Sequence, residues 1–302
     1  MKRIFLLTLL NFAVLITMSI AASVLFALFG ADLQSVFGDY SYLACFSLAL
    51  GFGGAIVSLL LSKPMAKWTT KARVIDGTEG EAERWLVETL EDLARRANLK
   101  TPEVAIYPGA ANAFATGAFR NSALVAVSTD IMGQMTREEL RAVLGHEMTH
   151  VANGDMVTMC LAQGVLNTFV IFLSRVAAFA ASRAMDGDSR RERRGGFGGG
   201  MTYYLFMHLF EIVFGLLASL ITCWFSRKRE FAADAGSARL LGSPSPMIAA
   251  LRRLGNLQPG VLPDSLKAFG IAQGGGKKRA ESPFATHPAL ERRIEALMLW
   301  NG

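Results

Sequence analysis

Four long apolar runs restrict what this chain can become. Ile4–Phe29, Tyr42–Leu61, Val157–Ala181 and Thr202–Phe225 carry almost no formal charge. At a helical rise of about 1.5 Å per residue, each is long enough to cross the roughly 30 Å hydrocarbon layer of a bilayer. Lipid offers no partner for a backbone N–H or C=O, so such runs are expected as helices. They raise the hydrophobic content to 52% and the mean hydropathy to +0.33, more apolar than an ordinary soluble enzyme. The sequence therefore predicts a multi-pass membrane protein.

Charge at the ends of the runs orients them. Ile4–Phe29 follows Lys2 and Arg3 and continues well past any small-residue cleavage site such as Ala21-Ala22, which predicts an uncleaved anchor. The linker Gly30–Ser41 holds Asp32 and Asp39 but no Lys or Arg, whereas Lys63, Lys67, Lys71 and Arg73 follow the second run, which closes at Ser62-Lys63-Pro64. Positive charge stays on the cytoplasmic side, so residues after Lys63 are expected there. The last two runs are expected either as a hairpin that crosses twice or as a pair that does not cross, and the hairpin is favoured. Arg175 and Glu211 lie at matching depth in an antiparallel pair and are expected to form an ion pair, with His208 packed as a polar neighbour. The loop between them is rich in arginine and its Gly195–Gly200 tract reads as disordered, while Gly274–Glu281 reads as a solvated loop.

Between the second and third runs lies a stretch with chemistry in it. His146-Glu147-Met148-Thr149-His150 sets two imidazoles one helical turn apart with a carboxylate beside the first. Residues at i and i+4 share a helix face, so both rings reach one Zn²⁺ while Glu147 points toward the attacking water as general base. Thr136 and Glu139 form a capping box ahead of this helix and Asn153-Gly154 stops it. A catalytic zinc takes three protein ligands and leaves a position open. Ser226–Asp234 reads as a further helix with acids at i and i+4, from which Glu230 is the third ligand and Asp234 accepts the free ring N–H of a ligating histidine. Arg227, Lys228 and Arg229 read there as a solvated face. His287, in Thr286-His287-Pro288, either polarises the substrate carbonyl, braces the site, or hydrogen-bonds the start of the last helix, Ala289–Trp300.

The expected fold class is α+β: a multi-pass helical membrane anchor bearing a zincin-like cytoplasmic metalloprotease domain, in which the zinc helix packs on a small antiparallel sheet. Glu79–Asn98 has the period of an amphipathic helix, and Val104–Tyr107, Asn112–Thr116 and Ala123–Ser128 read as strands, with Gly117–Ser122 as the turn. Asn112, Ala113, Phe114 and Ala115 are the candidate edge for an extended substrate, a plain packed hairpin being the other reading. The divisions fall at 1–62, two transmembrane helices; 63–156, the first part of the protease domain; 157–225, the hydrophobic pair; and 226–302, the second part with the third ligand. Cys45, Cys160 and Cys223 share no spacing that suggests a disulfide framework or a cysteine metal site. The net charge of +6 sits at membrane flanks without interleaved aromatics, which points to lipid head groups and away from nucleic acid.

These residues together resemble a known family. Asn112–Gly117, the His146–His150 motif followed by Ala152–Asp155, and Ser226–Asp234 are similar to the HtpX membrane-bound zinc metalloproteases, with CAAX prenyl proteases and OMA-type proteases as more distant relatives. The resemblance implies one Zn²⁺ per chain on His146, His150 and Glu230, with Asp234 behind them. It also implies an endopeptidase of the bacterial inner membrane whose active site faces the cytoplasm. Its substrates would be polypeptides, chiefly damaged or misfolded membrane proteins, cleaved for quality control under stress. A protein that keeps the zinc for structure alone, as a membrane scaffold or regulator, is the rival reading; such a site is normally closed by a fourth protein ligand, which the motif lacks.

Overall fold

The computed structural model describes residues 32–186, 200–256 and 282–301. The first apolar run, most of the Arg183–Gly200 loop and the Gly274–Glu281 stretch lie outside these residues. The chain divides into two compact units, residues 1–58 with 160–222, and residues 59–159 with 223–302.

Helix α1, Asp32–Thr70, crosses from the first unit into the second. The expected linker is therefore helical from Asp32 on: Asp32–Ser41 holds one glycine, Gly38, and no proline, so nothing in its backbone stops the helix. Nor does the helix close at Ser62-Lys63-Pro64; it continues through Pro64 to Thr70, and the Ser62 hydroxyl bonds the Leu59 carbonyl at 2.7 Å. Helices α5, Asp155–Asp186, and α6, Met201–Leu241, likewise belong partly to each unit. Leu43–Thr70, Asp155–Ser182 and Met201–Leu241 are each long and apolar enough to cross a membrane.

In the first unit the helices meet through small residues. A Cβ on Gly51 would lie 2.4 Å from the Thr168 hydroxyl, and one on Gly164 would lie 2.8 Å from the Phe52 ring. Such close backbone approach supplies van der Waals contact where lipid removes the hydrophobic drive. Arg175 Nη1 lies 3.4 Å from Glu211 Oε1, as the matched depth predicts, and His208 Nδ1 lies 3.1 Å from the other oxygen.

The second unit is built on a four-stranded sheet of order β1-β2-β4-β3, with β1 Arg73–Ile75, β2 Glu103–Tyr107, β3 Ala113–Thr116 and β4 Leu124–Ser128. The sheet is mixed where an antiparallel one was expected: β2 and β4 run parallel, with Val104 opposite Val125. After β2 the chain passes to the edge before returning, so β4 enters between β2 and β3. Its residues Leu124-Val125-Ala126-Val127-Ser128 are all buried, the unbroken apolar run of a central strand. Strand β1 escapes sequence reading because three residues show no alternation.

Helix α2, Glu81–Arg96, covers one sheet face with Leu86, Leu90, Leu93 and Ala94. Each of those leucines stabilises the fold by roughly 1.5–3 kcal/mol. On the other face Phe114, Tyr107, Leu124 and Ala126 pack with Ala66 of α1. After the short helix α3, Thr129–Gln134, comes α4, Arg137–Asn153, capped by Thr136 and Glu139 in a complete capping box. Gly154 ends α4 at φ 68°, ψ 37°, a conformation that favours glycine. Helix α4 is buried on nearly all sides, between β3, α2 and α7, Ser245–Asn256. The last helix, α8, Leu290–Met298, packs on α7.

Candidate active site

Two helices crossing at close range build the site. On α4, Ala142, Gly145, His146, Thr149 and His150 follow helical spacing along one face; on α6, Glu230, Asp234 and Ser237 do the same. The helices touch where side chains are smallest. A Cβ on Gly236 would sit 2.2 Å from Thr149 Cγ2 and one on Gly145 would sit 2.8 Å from the Ser237 hydroxyl, which itself bonds the Ala142 carbonyl at 2.7 Å. This contact fixes the depth at which Glu230 and Asp234 meet the histidines.

His146 Nε2 and His150 Nε2 face each other at 3.1 Å. Glu230 Oε2 lies 3.5 Å from the first and Glu230 Oε1 lies 3.4 Å from the second. The opposite nitrogens are engaged: His146 Nδ1 is 2.9 Å from Asp234 Oδ1, and His150 Nδ1 is 2.5 Å from Asp155 Oδ2. A carboxylate accepts the Nδ1 proton in each case, so both Nε2 lone pairs point at one spot. Two nitrogens bound to one tetrahedral ion at about 2.0–2.1 Å lie roughly 3.3 Å apart. Lone pairs that converge in this way repel one another unless a cation stands between them, and a divalent metal fits.

Electrostatics agree. Burial alone would lower both histidines, but Asp234 and Glu230 outweigh it at His146, and Glu230 and Glu147 at His150, holding both rings above their ordinary value. A field that favours a proton there favours any cation. Around the rings, Glu147, Glu230, Asp155 and Asp234 are buried, while Arg229 pairs with Asp155 and Arg293 with Asp234. The buried carboxylates outnumber the buried guanidinium groups, a surplus that favours a bound cation.

Glu147 lies beside this spot, 2% exposed. Burial pushes its carboxyl up to about 7, although the two histidines pull it down. Its Oε2 accepts the Ala115 amide of β3 at 2.8 Å. Among the described residues, strand β3 pairs with β4 alone, and it packs on α4. His287 lies 2.9 Å from Glu230 Oε2 through Nδ1, out of line for a hydrogen bond, and neither ring nitrogen nor Glu230 Oε2 has an aligned partner among the described residues.

The structure thus brings together His146, His150, Glu230, Glu147, Asp234 and His287, with Ala115 of the candidate edge. Three residues of the site were not legible. Arg293, fully buried, binds Asp234 by a two-pronged fork, Nε to Oδ2 at 2.7 Å and Nη2 to Oδ1 at 2.6 Å. Its signal was its place at i+3 in the stripe Leu290, Ile294, Leu297, where an apolar residue is expected. Asp155 reaches His150 because Gly154 turns the chain back. Arg229, read as solvated, is largely buried against Asp155, and Arg227 donates to the carbonyls of Pro283 and Ala285 at 2.9 and 2.7 Å.

Comparisons with known proteins agree with the geometry. Residues 81–301 match peptidase family M48. The chain is 52% identical over 302 residues to a protease HtpX homolog of Verminephrobacter eiseniae and 53% identical over 301 residues to one of Bordetella pertussis, covering 98% of both chains in each case. In fold it resembles Ste24p of S. mikatae, with a TM-score of 0.57 at 19% identity, the match covering 96% of this chain and 65% of that one. A buried two-histidine, one-glutamate donor set on two crossing helices beside strand β3, on a chain this similar to HtpX proteases along its whole length, places it: the protein belongs to peptidase family M48 and is a membrane-bound metalloprotease of the HtpX kind.

Proposed function

We propose that this protein is a zinc-dependent endopeptidase that cleaves damaged or misfolded membrane proteins on the cytoplasmic side of the bacterial inner membrane, as quality control under stress. The observation that carries the reading is the convergence of His146 Nε2, His150 Nε2 and Glu230 beside a buried Glu147. These three residues hold the zinc, which when bound polarises the scissile carbonyl and makes water more acidic. Glu147 takes a proton from the attacking water as its oxygen bonds the carbonyl carbon. The C–N bond then breaks and Glu147 passes that proton to the departing amine. Charge building on the carbonyl oxygen needs a donor, and His287, with no aligned hydrogen bond of its own among the described residues, supplies one. The segment Asn112–Ala115, which leads into and includes most of β3, holds the substrate in extended form by main-chain hydrogen bonds.

Support for the substrate class comes from the likeness to HtpX proteases and from the apolar helices, which confine enzyme and membrane-bound substrate to one bilayer and so raise their effective concentration. Lys63, Lys67, Lys71 and Arg73 after the second run support the cytoplasmic side. The test compares detergent-purified protein with Glu147→Gln for bound zinc and for cleavage of casein, with a chelator control. Both proteins are expected to bind about one zinc, with only the unmodified one cleaving and the chelator stopping it. Zinc bound by both with no cleavage of casein or of the chain itself would favour a scaffold that keeps the metal for structure.

A further inference from the structure

The C-terminal helix has an arginine where its packing calls for an apolar side chain. Leu290, Ile294 and Leu297 face the core with α7, and Leu290 Cδ1 comes within 3.2 Å of where a Cβ on Gly255 would stand. Arg293 occupies the same stripe and is 0% exposed. Burying a guanidinium is costly unless its charge and its donors are met, so α8 can dock in this register only where acceptors stand ready. The two carboxylates that meet it are both on α6, and Asp234 is the one that accepts its hydrogen bonds. Asp234 takes the fork at 2.6 and 2.7 Å, and Glu230 Oε2 lies 3.3 Å from Nη1. Nη2 also lies 3.5 Å from His146 Nδ1. One side chain of the last helix therefore touches a ligand, the partner of a second ligand, and that ligand's ring. His287, just ahead of α8, adds its contact with Glu230.

We propose that Arg293 is a positioning residue that couples metal occupancy to the docking of the C-terminal helix, so that the metal holds α8 in place and α8 in turn tightens the metal. The proposal rests on the metalloprotease reading above. A metal on His146 and Glu230 would hold the His146 ring, whose Nδ1 proton Asp234 accepts, and so would hold the carboxylate that the fork grips; without it that carboxylate is placed by the ring and the fork alone. The coupling is reciprocal by linkage: the factor by which zinc favours docked α8 equals the factor by which docking favours zinc. Arg229 makes the contrast. It pairs with Asp155, which carries the other ligating histidine, and sits on α6 itself, so it supports the metal without tying the last helix to it.

The full-length protein in detergent tests this by two readouts, zinc affinity from competition with a chelating dye and hydrogen–deuterium exchange of residues 290–298 with and without zinc. In the unmodified protein, zinc should slow exchange across 290–298. Arg293→Met should weaken zinc binding about 10–100-fold, the usual effect of removing a group behind a ligand, and should abolish the zinc dependence of exchange in α8. Arg229→Met should weaken zinc while leaving that dependence in place. If Arg293→Met fails to fold by circular dichroism, Arg293→Lys decides: its single ammonium cannot fork, so zinc affinity and α8 protection should both fall. Zinc bound with no change of exchange in α8, or an Arg293→Met or Arg293→Lys protein indistinguishable from the original, overturns the proposal. Failure of the original protein to bind zinc at all would instead overturn the metalloprotease reading on which it rests.

Discussion

His287 and Asp155 separate binding from chemistry at the scale of single residues. Replacing His287 with Phe keeps the bulk beside Glu230 and removes the proposed donor, so turnover should drop about 10²-fold, the usual loss for one oxyanion donor, with zinc content unchanged by metal analysis. Asp155→Asn should do the reverse. It weakens the acceptor that holds the His150 ring at 2.5 Å, so zinc affinity should fall about 10-fold or more in a chelator competition. His146, Glu147 and His150 were legible in sequence because helical spacing alone places them on one face. Spacing put Glu230 and Asp234 on one face of a second helix, and motif context together with that spacing pointed to Glu230 as the ligand. Arg293 was not legible, since nothing local marks a residue whose partners lie 59 and 63 positions upstream on another helix.

Among the elements, α4 and α6 carry the site and their crossing sets its geometry. Gly236→Ala would drive a Cβ to within 2.2 Å of Thr149 Cγ2, and Thr149 is held by its own bond to the Gly145 carbonyl at 2.8 Å. Overpacking of this kind destabilises by about 1–3 kcal/mol, so the melting temperature in detergent should fall, and zinc affinity should fall with it because Glu230 moves away from the histidines. A loss of stability with zinc affinity intact would show that the crossing does not set the site. The capping box and Gly154 fixed both ends of α4 in advance, as their local hydrogen bonds need no tertiary partner. The mixed sheet could not be foreseen, because strand order is settled by where the chain returns and not by the pattern within a strand.

For the molecule as a whole, charge within the apolar helices is the sharpest test. Arg175 and Glu211 meet at 3.4 Å within the first unit, where each would be costly alone. Arg175→Glu and Glu211→Arg should each lower thermal stability in lipid nanodiscs by about 1–3 kcal/mol, and the double exchange should restore most of it. If the double variant is no more stable than the singles, the pair does not hold the helices together. The apolar runs announced the helical part at once, because lipid leaves a backbone no other way to satisfy its hydrogen bonds. They did not announce where helices end: α1 passes through Pro64, and α5 starts immediately after Gly154.

By itself the sequence determined whatever depends on neighbours along the chain: apolar length, the i and i+4 pairing of His146 with His150 and of Glu230 with Asp234, the cap that starts α4 and the glycine that ends it. Periodicity and local hydrogen bonding carry that information, and both act over a turn or two. Only the tertiary structure decided which carboxylate meets which ring, that Arg293 of the last helix closes the Asp234 side and Arg229 the Asp155 side, and that the amide of Ala115 steadies Glu147. Those pairings join segments far apart in the chain within a buried space, where an unmatched charge is too costly to persist and each partner is settled by the packing around it.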